Sequence, residues 1–66
     1  MNVQVNGKSM QVAAPCTVQQ LLEQLDIETR FVAVEVNLDI VPLQRHADHQ
    51  LHEGDELEVV TLVGGG

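Results

Sequence analysis

Residues 53–66 read EGDELEVVTLVGGG. Glu53-Gly54-Asp55 has turn chemistry. From Glu56 to Val63 the chain alternates as a half-buried strand does, with Leu57 and Val59 toward one face and Glu56 and Glu58 toward the other. Beyond Val59 the outward positions become apolar: Val60 and Leu62. Strands with one solvated face normally place polar residues there, so Val60 and Leu62, with Glu58 beside them, are candidates for a partner-docking patch. In the competing reading, segment 43–53 folds over them. Val63 leads into Gly64, Gly65 and Gly66, which bring no side chains to pack. Such a run is either a frayed end or a backbone kept thin for a purpose.

Working outward, Phe31-Val32-Ala33-Val34-Glu35-Val36 is a β-branched strand with Val32, Val34 and Val36 on one face. Asn37-Leu38-Asp39 turns the chain, and Ile40-Val41 is a short extended piece that Pro42 ends or confines to an edge. Residues 43–53 read as polar and irregular. At the other end, Met1-Asn2-Val3-Gln4-Val5 alternates, Asn6-Gly7 is a tight-turn signal, and Ser9-Met10-Gln11-Val12 alternates again. Thr17 and Gln20 form a capping box, ahead of Val18, Leu21, Leu22 and Leu25 at helical spacing. The order β-β-α-β-(short β)-β predicts an α+β domain, a helix laid across one face of a mixed sheet. That is the order of a β-grasp fold.

Sixty-six residues make one domain, 1–66. The single cysteine forbids an internal disulfide, and Phe31 is the sole aromatic, so the core is aliphatic. No apolar run reaches the roughly 18 residues of a membrane span, and no secretory signal is visible. A cytoplasmic protein is expected. Ten acidic residues against three basic ones give a formal charge of −7. That surface repels phosphate backbones and argues against nucleic acid. It suits a partner with a basic docking face, or serves solubility alone.

With the elements in place, the chain resembles the ubiquitin-like sulfur carriers, and among them the thiamin-biosynthesis (ThiS) family. The matching stretches are VNGK (5–8), TVQQLLEQL (17–25), VAVEVNLDIVP (32–42) and EGDELEVVTLVGGG (53–66). The family often has Arg directly after the proline of this segment and an aromatic a few residues on; here those places hold Leu43 and His46. The resemblance implies a β-grasp fold and a protein that is a co-substrate rather than an enzyme. Its reactive group would be the carboxylate of Gly66. A ThiF-like enzyme would adenylate it with ATP and Mg²⁺, and sulfur from a persulfide donor, by a cysteine desulfurase route, would convert it to a thiocarboxylate. A ThiG-like thiazole synthase would take the sulfur. Val63, Gly64 and Gly65 would be the flexible tail threaded into partner sites. A sulfur carrier for molybdopterin and a ubiquitin-like protein modifier are alternatives that use the same terminus.

Three side features compete with this reading. His46, His49 and His52 lie in HADHQLH; on a helix His46 and His49 would share a face as metal ligands, but a solvated loop is the plainer expectation, and no metal site is expected. Cys16 precedes a helix N-terminus, where a thiol can be activated, or is simply a small turn residue. Glu53, Asp55, Glu56 and Glu58 make a solvated face or a steering surface for a basic partner.

Overall fold

The computed structural model describes residues 1–62. Val63, Gly64, Gly65 and Gly66, the expected reactive tail, lie outside the described residues. Five strands form one mixed sheet: β1 (Asn2–Val5), β2 (Lys8–Gln11), β3 (Val32–Val36), β4 (Asp39–Val41) and β5 (Glu56–Thr61), in the order β2-β1-β5-β3-β4. The helix α1 (Val18–Gln24) connects β2 to the second half of the chain. This is the expected α+β, β-grasp arrangement.

The central pair is β1 and β5, and it is parallel, with Gln4 opposite Glu56 and Val5 opposite Leu57. All other pairs are antiparallel. The first and last strands are thus neighbours in the middle of the sheet. Val3, Val34, Val36, Leu57 and Val59 line its inner face and bury against Val18, Leu21 and Leu22 of α1. Pleating sends alternate residues to opposite faces, so the same strands present Gln4, Ala33, Glu35, Glu58 and Val60 on the other side.

α1 is seven residues long and would not persist alone. Its start is fully satisfied. The first four N–H groups of a helix have no partner within it; here Thr17 N–H donates to Gln20 Oε1 (2.9 Å) and Gln20 N–H to Thr17 Oγ1 (3.1 Å). Val18 N–H donates to the His49 carbonyl and Gln19 N–H to the His46 carbonyl, both at 3.0 Å. The helix ends in paired bonds, Asp26 N–H to Glu23 O and Ile27 N–H to Leu22 O, with Asp26 at φ +59°. That is the left-handed cap usually given to glycine.

Several boundaries differ from the sequence reading. The second strand is shifted one residue earlier, and Val12 follows it as a buried residue. Phe31 closes a 3₁₀ turn, Thr29–Phe31, and the strand begins at Val32. The final strand ends at Thr61 rather than Val63. The largest difference is in 43–53. This segment is ordered: a 3₁₀ turn at Leu43–Arg45, a bridge between Thr17 and Gln50, and buried Leu51. Its polar composition conceals a segment whose carbonyls cap α1.

Candidate functional site

The site is the end of β5 that runs toward the tail. Val60 pairs with Ala33 and Thr61 with Val32, and Leu62 N–H donates to the Phe31 carbonyl. The chain is therefore held by β3 and the turn before it up to the last described residue. Val60 and Leu62 are 55% and 58% exposed, and Phe31 is exposed beside them. Segment 43–53 does not cover them, because its backbone is tied to the start of α1 on the opposite side of the sheet. Glu58 lies on the same outer face and is exposed.

On its other side β5 is held by a residue whose role the sequence reading missed. Asn6 was legible only as a turn residue, and with Gly7 it makes that turn, at φ +52° and +83°. Its side chain does more. Val59 N–H donates to Asn6 Oδ1 (2.8 Å), and Asn6 Nδ2 donates to the Val59 carbonyl (3.1 Å). The amide thereby extends the β1–β5 ladder beyond the end of β1, toward the apolar outer positions. Asn37 secures the opposite end of β5: its N–H donates to Glu56 O (2.7 Å) and its Oδ1 accepts from Glu56 N–H (3.0 Å). Two asparagine turns thus fix both ends of one strand. Asn-containing turns were the only available signal for either.

The side features resolve differently. His46 is not on a solvated surface: it is 2% exposed, and its Nε2 lies 3.0 Å from the Val41 carbonyl. A carbonyl can only accept, so Nε2 carries the proton; Nδ1 is buried and has no hydrogen-bond partner among the described residues. His49 is half-buried and His52 exposed. Among the described residues no three His, Cys, Asp or Glu side chains gather as a metal ion would require.

Cys16 is 1% exposed, and burial pushes its thiol pKa up, against a smaller lowering by the N-terminal ammonium. This opposes the activated-thiol reading, because a thiol must ionise to attack. Asp55, expected on a solvated face, is buried; it accepts from His52 N–H (2.8 Å) and Asn37 Nδ2 (3.0 Å) and holds the turn before β5. Glu53 accepts from Asn2 N–H at 2.9 Å. Glu56 and Glu58 are left as the solvated acids of that cluster.

No helix among the described residues is long and apolar enough to cross a membrane.

The ThiS family model matches residues 3–66. The chain is 38% identical to the sulfur carrier protein ThiS of Escherichia coli, with both chains covered completely. It is 42% identical to part of a thiazole synthase from Paramagnetospirillum magneticum; there the whole chain is matched but spans only 20% of that protein's length. Among solved structures, the crystal structure of the thiamine biosynthesis protein ThiS from Geobacter metallireducens superposes with a TM-score of 0.85. The two are 32% identical, and both chains are covered in full. A β-grasp sheet whose last strand leads into the glycine tail, matched over its whole length by carriers of the same size, places this chain in the ThiS family.

Proposed function

We propose that this protein carries sulfur for thiazole formation in thiamin biosynthesis, as a thiocarboxylate at Gly66. The observation that carries the reading is the exposed apolar end of β5, Val60 and Leu62, leading directly into Val63-Gly64-Gly65-Gly66 in a member of this family. The part-length match to a thiazole synthase favours the thiazole pathway over molybdopterin or protein modification, since in that relative the two units share one chain.

A carboxylate is a poor electrophile. A ThiF-like adenylating enzyme supplies ATP and Mg²⁺, the Gly66 carboxylate attacks the α-phosphorus, and pyrophosphate leaves. The terminal sulfur of a persulfide donor, formed by a cysteine desulfurase, then attacks the acyl carbonyl and expels AMP. A thiol cleaves the resulting S–S bond, taking up the donor sulfur, and leaves the thiocarboxylate for a ThiG-like thiazole synthase. The chain's own contribution is access. Extended, residues 63–66 reach about 13 Å, and without Cβ atoms at Gly64, Gly65 and Gly66 the walls of a closed site can approach the backbone. The chain is a co-substrate, and catalysis belongs to its partners.

Intact mass after incubation with the adenylating enzyme, ATP, Mg²⁺ and a persulfide donor tests this. Exchange of one terminal oxygen for sulfur, lost on deletion of Gly66, is the expected result. An unchanged mass, under conditions in which the E. coli carrier is converted, overturns it.

A further inference from the structure

A second exposed apolar pair lies at the β3–β4 hairpin, Leu38 in its turn and Ile40 on the outer face of β4. Leu38 is 85% exposed and Ile40 74%, more than any other large hydrophobic side chain among the described residues. Leu38 sits at φ +72°, a conformation uncommon for residues other than glycine, asparagine and aspartate. The hairpin is not loose. Asn37, the preceding residue, is bonded through backbone and side chain to Glu56 and through its amide to Asp55. The fold therefore holds a leucine in an unfavourable conformation, on a braced turn, in water.

Between this cluster and the tail-proximal one lies negative charge. Ile40 is opposite Glu35, and Glu35 is opposite Glu58 on β5; the neighbouring row pairs Ala33 with Val60. Like charges directly opposite across strands are unfavourable. Neither Glu35 nor Glu58 belongs to an ion pair among the described residues. The outer face thus runs from Ile40, beside the turn that carries Leu38, across two facing carboxylates to Val60 and Leu62.

We propose that Leu38 and Ile40 form a second anchor for the adenylating partner, seated in an apolar pocket whose rim of Lys or Arg side chains faces Glu35 and Glu58. The proposal rests on the carrier reading. Its occupant follows from charge complementarity: an enzyme that gathers ATP phosphates and a terminal carboxylate surrounds its site with positive charge, and this face offers acids between two apolar ends. A braced anchor loses little freedom on docking. Two anchors at opposite ends of the face also fix the direction in which the tail leaves it.

The test is ATP–pyrophosphate exchange by an adenylating enzyme of the family, measured against the concentration of the full chain. The variants are Leu38→Asn, Ile40→Thr and the double substitution. Both side chains are exposed, and asparagine tolerates the left-handed backbone, so thermal melting should show the fold retained. The double variant is expected to raise KM about tenfold, as loss of an interface anchor does, with kcat within about twofold of the parent. Glu35→Gln should flatten the salt dependence of KM. A KM for the double variant equal to that of the parent overturns the second anchor while leaving the carrier reading intact. Failure of the parent chain to support exchange overturns both.

Discussion

At the residue scale, the two asparagines show how much a turn residue can do beyond turning. Asn6 accepts a positive φ and also donates to and accepts from Val59. Asn6→Gly keeps the backbone conformation and removes both bonds. It should cost about 1–2 kcal/mol, a fall in Tm of roughly 4–16 °C for a domain of this size, measured by thermal melting. Unchanged stability would mean that the amide only decorates the turn. Cys16 offers a pH test. Burial raises its thiol pKa above the ordinary value for cysteine, so the fold favours the neutral thiol and the unfolded chain ionises first. Stability is fully present below about pH 9 and falls as pH rises beyond it. Denaturant melts at several alkaline pH values should show that decline in the parent and a smaller one in Cys16→Ala. His46, like Asp55, was misread as solvated. In sequence His46 sits among polar neighbours, and only the fold, which buries the ring and sets its Nε2 against the Val41 carbonyl, shows otherwise.

At the scale of elements, α1 was legible at its start and not at its end. Thr17 and Gln20 carry a local signature, and the capping box forms as the sequence predicts. The C-terminal cap was not legible, because Asp26 stands where glycine is usual. An acidic side chain there also opposes the negative end of the helix dipole. Asp26→Gly should therefore stabilise the protein by about 0.5–1 kcal/mol, relieving the left-handed backbone. Equilibrium urea unfolding reads this as a higher midpoint with an unchanged slope. Segment 43–53 was illegible as structure. Its contribution is made by main-chain carbonyls, those of His46 and His49, which accept from Gln19 and Val18, and backbone groups leave no mark in side-chain periodicity. β4, by contrast, was legible as the short extended piece at Ile40-Val41, and it forms as three residues paired with β3.

For the whole molecule, a formal charge of −7 on 66 residues means self-repulsion in the compact state. Raising salt from about 0.01 M to 1 M shortens the screening length about tenfold, so Tm should rise by several degrees; a flat or falling Tm would show that the acids do not interact across the surface. Glu35→Gln should reduce the rise, since it removes one of two facing carboxylates. Sequence alone determined the identity and order of the elements and which faces of β3, β5 and α1 are apolar, because periodicity and capping are local properties of the chain. The glycine tail and the apolar turn of β5's outer face were equally visible there. Tertiary structure decided the rest: β5 enters the centre of the sheet parallel to β1, segment 43–53 lies against α1, and Val60 and Leu62 are left uncovered. These outcomes depend on pairings between residues some fifty positions apart, such as Asn6 with Val59. No local pattern encodes them, since the bonds are made by backbone and amide groups that meet only when the sheet closes.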